Sequence, residues 1–272
     1  PILRLEVKPA RVGLGCHRIL RQGQTPLRVL PLFTFDATDM PEVGSVVTVS
    51  GSEAKHAATV RRMRIGEGIQ LANGRGLRVV GTVDSVLPSQ LAVRVAEVIV
   101  EELPEPQLTL VQALAKGDRD ELAIQAATEL GVSGVIPWQA DRSISRWDGP
   151  KIAKGLDRWQ TIVTDAAKEA LRAFTPEVAE PVATKQLAGL VRDFSAVLVL
   201  DPTAAQALST VTLPTEGRVA IVVGPEGGIS DAELTALEDA GAIRVRLGSE
   251  ILRTSTAGMA AISVLQSRLG RW

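Results

Sequence analysis

The stretch GRVAIVVGPEGGISDAELTALEDAGAIRVRLGSEILRTSTAGM, at residues 217–259, decides the fold. Its apolar, β-branched residues 219–223 run into the GPEGG loop, residues 224–228, which is typical of a buried parallel strand that ends in a tight loop. Ser230 and, three residues later, Glu233 form a capping box, which predicts that a helix begins there. The first half of the stretch is therefore predicted to be a strand, a loop with accessible backbone and a helix.

The second half of the stretch repeats the strand-to-loop pattern. Gly241 ends the predicted helix, and residues 243–247 form a second predicted strand. Residues 248–254 are a polar loop, and the Ala-rich apolar pattern of residues 255–269 predicts a closing helix. In a parallel sheet both loops open on the same edge, where α/β proteins bind ligands.

Strands and helices alternate along the chain before this stretch. The predicted strands are residues 108–113, 134–137 and 196–200, and the predicted helices are residues 118–130 and 151–168. Such alternation indicates a mostly parallel sheet that is covered by helices. Sequence rules alone predict an ordinary doubly wound sheet here, because knotted chains are very rare.

The region before residue 103 has an all-β pattern. Its short strand-like runs are residues 45–49, 68–71, 77–83 and 91–100, broken by turn residues. Residues 52–64, SEAKHAATVRRMR, interrupt the strands and predict a short, strongly basic helix with its exit. Residues 101–106 are acidic and Pro-punctuated, so they predict a linker and a domain boundary near residue 104.

Residues 1–31 form a basic extension without a sustained hydrophobic period. They hold six Lys or Arg residues against a single acidic residue, Glu6. One interpretation is a poorly ordered extension or a gene-start artefact, and the other is a basic arm that touches RNA phosphates.

Composition excludes several classes of protein. With 272 residues, 45% hydrophobic and 22% charged, the chain has an ordinary globular composition and suits two modest domains. The net charge of −1 does not exclude nucleic acid, because a basic face is compatible with a neutral total. Cys16 is the single cysteine, so we expect no intrachain disulfide and no structural zinc, and a reducing cytoplasmic location. We expect no membrane span, because no apolar run approaches the required length.

Several ordered motifs carry a resemblance to a known family. They are HAATVRR at residues 56–62, KGDR at 116–119, ATELGV at 127–132, Arg158-Trp159 with Ala166-Ala167, GPEGG at 224–228 and LGSEILRTSTA at 247–257. In this order they resemble the SPOUT class of S-adenosylmethionine-dependent RNA methyltransferases. The chain is most similar to the bacterial family that methylates N3 of a uridine in 16S ribosomal RNA.

The resemblance implies a domain architecture, a homodimer and an RNA substrate, which the residue pattern alone does not predict. It implies a small PUA-like β-barrel over residues 32–103 that holds RNA, followed by a SPOUT-type α/β domain over residues 104–272. In that domain the sheet is mostly parallel and the last segment forms a trefoil knot. The family is expected to act as a homodimer on 16S ribosomal RNA or the small ribosomal subunit, without a metal.

The resemblance also implies a cofactor site at the two C-terminal loops. Glycines in such a loop allow close backbone approach to a ligand, although three glycines also suit a plain tight turn. The residues implied to surround S-adenosylmethionine are Leu200, Gly224, Pro225, Glu226, Gly227, Gly228, Leu247, Gly248, Ile251, Leu252 and Thr254.

Two residues are candidates for catalysis. Methylation of uracil N3 requires loss of a proton, and Glu226 is the carboxylate expected nearest the methyl group. A carboxylate is a useful base only if burial raises its pKa, and Glu226 also suits a helix-cap or loop hydrogen bond. Because this chain has Ser255 where many family members have glutamate, a path without a protein base stays open. In that path Arg253 stabilises the uracil anion.

Basic residues in both domains are candidates for RNA phosphate binding. Phosphate contacts position RNA without reading its sequence, and such clusters are also common as solvated surfaces. The predicted RNA-binding residues are Lys55, Arg61, Arg62, Arg64, Lys116, Arg119 and Arg172.

Two other functions are alternatives to this one. A Rossmann-type enzyme places its Gly-rich turn after the first strand of the α/β domain, whereas here the Gly-rich loops come last. A non-catalytic RNA-binding or ribosome-assembly protein on the same fold predicts RNA affinity without cofactor binding.

Overall fold

The computed structural model describes residues 18–21, 30–37 and 39–272. The predicted basic extension, residues 1–31, lies outside the described residues except for residues 18–21 and 30–31. The strand β1, Arg18–Arg21, runs parallel to the end of a longer strand of the N-terminal sheet.

The N-terminal part of the chain is a small, mostly antiparallel sheet, as the strand pattern predicts. After β1 its strands are β2 (Leu32–Thr34), β3 (Val46–Ser50), β4 (Gly68–Ala72), β5 (Leu77–Leu87) and β6 (Gln90–Glu102). The order is β1-β6-β5-β4-β2, and β3 also pairs with β6. The basic helix between β3 and β4 consists of α1 (Gly51–Lys55) and a π-helical segment, His56–Val60. Ala54 and Ala57 are the side chains that this segment buries in the core of the sheet.

The C-terminal part is an α/β domain. Its strands are β7 (Gln107–Ala113), β8 (Gly134–Gln139), β9 (Glu177–Val178), β10 (Val182–Ala183), β11 (Ala196–Leu200), β12 (Arg218–Val223) and β13 (Ile243–Val245). Its helices are α2 (Arg119–Glu129), α3 (Pro150–Glu169), α4 (Thr184–Leu190), α5 (Asp231–Asp239) and α6 (Thr254–Arg268). The strand order is β10-β8-β7-β12-β11-β13 with β9 on β8, and every pair is parallel.

Helices cover both faces of this sheet. On one face, side chains of α2, α3 and α6 such as Ile124, Trp159 and Leu265 pack with alternate residues of β7 and β12. On the other face, Leu187 of α4 and Leu237 of α5 pack with the intervening residues. Strand β12 lies between β7 and β11, which explains its continuous apolar run. The predicted mostly parallel sheet is confirmed, whereas the trefoil knot stays a prediction.

The linker is shorter than predicted. Strand β6 continues to Glu102, so only residues 103–106 connect the two sheets. Glu101 is buried, and its carboxylate accepts a hydrogen bond from Arg78 Nε at 2.6 Å. Residues 101–102 therefore belong to strand β6 and not to the linker. The charge of Glu101 is tolerated inside the protein because Arg78 pairs with it.

Contacts beyond the linker hold the two parts of the chain together. Arg78 Nη2 donates to the carbonyl oxygen of Leu171 at 2.8 Å, and Gly76 N donates to that of Ala173 at 3.0 Å. Lys168 of α3 forms a largely buried ion pair with Glu53 of α1 at 3.0 Å. Backbone bonds and sheltered charges of this kind fix the relative position of the two domains.

Candidate functional site

A cavity of about 560 Å³ opens at the edge of the parallel sheet where β11, β12 and β13 end. Its size is within the range of small-molecule sites, roughly 300–1,000 Å³. The predicted cofactor residues that line it are Leu200, Gly224, Pro225, Glu226, Gly228, Leu247, Gly248, Ile251, Leu252 and Thr254. Arg253 also lines it, whereas Gly227 does not. Two loops that are separated by helix α5 in sequence thus meet around one space.

The GPEGG loop is tied to the start of α6 through a buried hydroxyl. Thr254 Oγ1 donates to the carbonyl oxygen of Gly224 at 2.8 Å and accepts from Gln112 Nε2 at 2.9 Å. Both Gln112 and Thr254 are buried. One side chain therefore joins β7, the GPEGG loop and α6. Sequence analysis missed Gln112, although a polar residue near the end of a predicted buried strand was a usable signal.

An ion pair joins the strand ends on another wall of the cavity. Arg244 Nε donates to Asp201 Oδ2 at 2.7 Å, and the backbone N–H of Thr203 donates to Asp201 Oδ1 at 2.9 Å. Burial raises the pKa of Asp201, but these hydrogen bonds outweigh it and hold the pKa below its usual value. The pair connects the loop after β11 to β13. Sequence analysis missed both residues.

Glu226 accepts hydrogen bonds from one side chain and one backbone N–H at the cavity mouth. Its Oε1 accepts from Arg119 Nη1 at 2.8 Å and from the backbone N–H of Lys116 at 3.2 Å. Burial raises the pKa of Glu226, but hydrogen bonds from its own N–H, Arg119 and Lys116 together hold it below the usual value. These hydrogen bonds favour the ionised form of Glu226, which makes it a weaker base.

Arg253 has a different setting. Its side chain is exposed at the cavity, and its backbone precedes the first turn of α6. No described residue provides a hydrogen-bond acceptor or an ion-pair partner for its guanidinium. The group thus keeps its charge and its donors available at the cavity, as the anion-stabilising hypothesis requires.

Glu233 connects the first turn of α5 to neighbouring segments. The predicted capping box is confirmed: Ser230 N donates to Glu233 Oε2 at 3.0 Å, and Glu233 N donates to Ser230 Oγ at 3.3 Å. Glu233 Oε1 also accepts from the backbone N–H of Asp141 at 2.8 Å and from Thr184 Oγ1 at 2.7 Å. Burial raises the pKa of Glu233, but these hydrogen bonds hold it below its usual value.

Replacing Glu233 by glutamine is expected to lower the free energy of unfolding at pH 7 by about 1–3 kcal/mol, because charge-assisted hydrogen bonds are lost. Since the folded-state pKa is depressed, the contribution of Glu233 is complete above its ordinary pKa of 4.5 and is lost as the pH falls through the folded value. Urea unfolding of wild type and variant between pH 7 and pH 3 measures this. A difference that stays constant over that range would contradict the assignment.

The predicted RNA-binding residues lie in three settings. Lys55, Arg61, Arg62 and Arg64 are exposed on α1 and the segment that follows it. Two apolar side chains are exposed among them, Val60 at 68% and Ile65 at 72%. Lys116 is exposed, and Arg119 is partly exposed beside Glu226. These six residues are accessible to a polynucleotide.

Arg172 is the exception, and its predicted position on an RNA-facing rim is wrong. Only 7% of the residue is exposed, and its guanidinium donates to the carbonyl oxygens of Thr128 at 2.6 Å and Val132 at 2.7 Å. Burial lowers the pKa of Arg172 to about 10, so the group stays charged at neutral pH. Arg172 holds the end of α2 and the turn into β8.

Replacing Arg172 by methionine is expected to lower the free energy of unfolding by about 1–3 kcal/mol, because the carbonyl oxygen of Val132 loses its donor. The carbonyl oxygen of Thr128 keeps the N–H of Gly131 as a donor. The variant is expected to keep the salt dependence of RNA binding, because Arg172 is not at the surface. Chemical denaturation and filter binding measure the two effects. A stable variant with weaker RNA binding would restore the original prediction.

Each of the two parts of the chain matches a model of a known protein family. A family model described as an RNA methyltransferase domain matches residues 101–266, and one described as an RNA methyltransferase PUA domain matches residues 49–91. Ribosomal RNA small subunit methyltransferase E of Mycobacterium bovis is 41% identical over 248 residues, which cover 90% of this chain and 94% of the relative. The chain belongs to the ribosomal RNA small subunit methyltransferase E family. The resemblance seen in the sequence motifs is thereby confirmed.

Other members of the methyltransferase E family are similar to this chain in sequence and in structure. The Bacillus subtilis protein is 32% identical over 232 residues, which cover 82% of this chain and 91% of that protein. The Neisseria gonorrhoeae protein, solved bound to S-adenosyl methionine, has a TM-score of 0.77 and 28% identity, covering 88% of this chain and 98% of that chain. The predicted SPOUT-type α/β fold with a preceding PUA domain is confirmed.

The described part of this methyltransferase E family member lacks two features. In the described part of the chain, no helix is both long and apolar enough to span a membrane. Among the same residues, no group of three or more His, Cys, Asp and Glu side chains is arranged to hold a metal ion.

Proposed function

We propose that this chain transfers a methyl group from S-adenosylmethionine to N3 of a uridine in 16S ribosomal RNA. The observation that carries the proposal is the cavity at the sheet edge, which the GPEGG loop, the loop before α6 and the guanidinium of Arg253 enclose together. The cofactor bound in the Neisseria gonorrhoeae relative supports the choice of methyl donor.

The residues of the cavity suit this cofactor. Leu200, Val223, Leu247 and Ala257 supply apolar surface for a purine ring, while the loops supply backbone N–H and C=O groups. The bound cofactor would supply an electrophilic methyl group on a sulfonium. The protein's part is to hold the cofactor by the two loops.

Arg253 is proposed to assist proton loss from the target base. A guanidinium remains charged at all relevant pH values and stabilises the negative charge that develops as N3 loses its proton. Glu226 is already ionised and paired with Arg119, so we assign it to positioning that arginine at the cavity mouth. The proton then leaves to solvent.

RNA is proposed to be held by the accessible basic residues. Lys55, Arg61, Arg62 and Arg64 form the N-terminal anchor, whereas Lys116 and Arg119 contact phosphates near the cavity. Because phosphate contacts release counterions, RNA affinity is expected to fall steeply with salt. With a 16S ribosomal RNA substrate, free or within the small subunit, we expect the protein to act in the cytoplasm.

The active unit is proposed to be a homodimer. An open groove between α2 and α6 is lined by apolar side chains that include Leu130, Leu252 and Met259. A second copy of the chain packed on this groove would also approach the loop that carries Arg253. Sedimentation of the purified protein at micromolar concentration tests this part of the proposal.

The test of the whole proposal combines binding with product analysis. Calorimetry measures S-adenosylmethionine binding to wild type, to Ala257→Trp, which fills the cavity from α6, and to the exposed control Ala153→Trp on α3. We expect binding to wild type and control only, and 3-methyluridine in unmodified small subunits after incubation with wild type. RNA binding by a folded wild type that binds no cofactor would instead support a non-catalytic role.

A further inference from the structure

The segment between β8 and α3, residues 140–149, lies against the GPEGG loop. Arg142 Nη1 donates to the carbonyl oxygen of Gly227 at 3.1 Å. Asp141 accepts a hydrogen bond from Ser230 Oγ at 3.3 Å, and its backbone N–H donates to Glu233. This segment, called the β8–α3 loop below, is therefore fixed both to the GPEGG loop and to the first turn of α5.

Packing of Arg142 favours a glycine at position 227. A Cβ atom added at Gly227 would lie 3.1 Å from Cβ and 3.6 Å from Cδ of Arg142. The first distance is shorter than an ordinary van der Waals contact, and the second is ordinary. Gly227 does not line the cavity. The glycine thus accommodates the aliphatic stem of Arg142, so the guanidinium is held in a defined place beside the GPEGG loop.

The same loop carries a second exposed cation. Arg142 and Arg146 are both exposed, and Arg146 Nη2 donates to the carbonyl oxygen of Asp141 at 3.1 Å. Within the described residues, neither arginine has a carboxylate within ion-pair distance. The loop itself carries two carboxylates: Asp148 pairs with Lys151 at 3.1 Å, and Asp141 lies 3.3 Å from Ser230 Oγ. Each guanidinium therefore retains donors that face solvent, in the fork that suits a phosphate diester.

Two arginine side chains contact the GPEGG loop, each at a different residue. Arg119 reaches it through the side chain of Glu226, and Arg142 reaches it through the backbone of Gly227. A polynucleotide that approaches the cavity mouth meets both. Arg142 binds the backbone of the GPEGG loop directly, whereas Arg119 binds a side chain of that loop.

We propose that Arg142 and Arg146 form a further RNA phosphate site that couples RNA binding to cofactor binding through Gly227. The proposal rests on the proposed function. A phosphate held by Arg142 fixes the guanidinium that bonds to Gly227, which stabilises the GPEGG loop in the conformation that encloses the cavity. By linkage, a cofactor that orders the same loop raises the affinity for RNA by an equal factor.

The test measures binding of a 16S ribosomal RNA transcript at several KCl concentrations, with and without S-adenosylhomocysteine. Wild type is expected to bind RNA about fivefold or more tightly with S-adenosylhomocysteine present. Arg146→Gln is expected to reduce the slope of log affinity against log salt by about 0.7, the value for one phosphate contact on single-stranded RNA. Arg192→Gln, an exposed arginine near the opposite sheet edge, is the matched control and is expected to behave as wild type.

Arg142→Lys separates the two parts of the proposal. Lysine keeps the charge but lacks the fork that reaches Gly227 and a phosphate together, so the salt slope is expected to persist while the gain from S-adenosylhomocysteine disappears. Thermal unfolding verifies that each variant is folded. A wild-type slope in Arg146→Gln, or a full gain in Arg142→Lys, overturns this inference and leaves the proposed function intact. The proposed function fails separately if wild type binds no S-adenosylhomocysteine and forms no 3-methyluridine.

Discussion

Replacing Arg253 by alanine is expected to lower the rate of methyl transfer by about 10²–10³-fold, the usual effect of removing one preorganised donor from a developing anion. Cofactor affinity is expected to stay near the wild-type value, because the cavity is enclosed mainly by other residues. Single-turnover methylation of unmodified small subunits, with calorimetry on the same preparations, measures the two quantities.

Two variants serve as controls for this prediction. Arg253→Lys keeps a positive charge and is expected to retain part of the rate. Glu226→Gln is expected to reduce the rate much less than Arg253→Ala, because Glu226 is already paired with Arg119 and is a weak base. The opposite order, with Glu226→Gln nearly inactive and Arg253→Ala active, would identify Glu226 as the proton acceptor.

Thr254→Val is expected to cause the second large effect. The change removes the hydroxyl but preserves side-chain volume, so the carbonyl oxygen of Gly224 loses a donor and the buried amide of Gln112 loses an acceptor. Gln112 Nε2 keeps its hydrogen bond to the carbonyl oxygen of Ala113 at 3.1 Å. An unpaired buried group costs about 1–3 kcal/mol, so the free energy of unfolding is expected to fall by about 1–3 kcal/mol. Cofactor affinity is expected to fall about tenfold or more, because the GPEGG loop loses its attachment to α6.

Thr256→Val is the matched control two residues along the same helix. The hydroxyl of Thr256 donates to the carbonyl oxygen of Arg253 at 3.2 Å on the groove between α2 and α6, outside the cavity, so its loss is expected to have little effect on cofactor affinity. Chemical denaturation and calorimetry on both variants complete the comparison. Equal cofactor affinity in wild type and Thr254→Val would show that the loop keeps its shape without this hydroxyl.

Local signals in the sequence predicted most of the secondary structure. The capping box of Ser230 and Glu233 and the glycine at 241 act within a few residues, so they set the bounds of α5 without help from distant parts of the chain. The apolar run of β12 likewise reflects burial on both faces of a parallel sheet. Ten of the eleven predicted cofactor residues line one cavity, because two parallel strands end at the same edge.

Interactions between distant residues were not predictable in this way. Gln112 and Thr254 are 142 positions apart, and Arg172 reaches carbonyl groups 40 and 44 positions away. Nothing in the neighbouring sequence distinguishes a buried arginine with carbonyl acceptors from an exposed one that binds phosphate. The pKa of Glu226 similarly depends on Arg119, which another strand-to-helix junction supplies.

The contacts between the two domains have a consequence for substrate choice. A residue with a Cβ atom does not fit at position 76, because that atom would collide with the ring of Phe174 from the other domain. The hydrogen bond from Arg78 and the ion pair of Lys168 join the two domains at the same junction. The distance between the cavity and the exposed basic residues Lys55, Arg61, Arg62 and Arg64 is therefore held constant. Under the proposed function, an RNA lengthened by a few nucleotides between its anchored segment and the target uridine would bind normally and escape methylation.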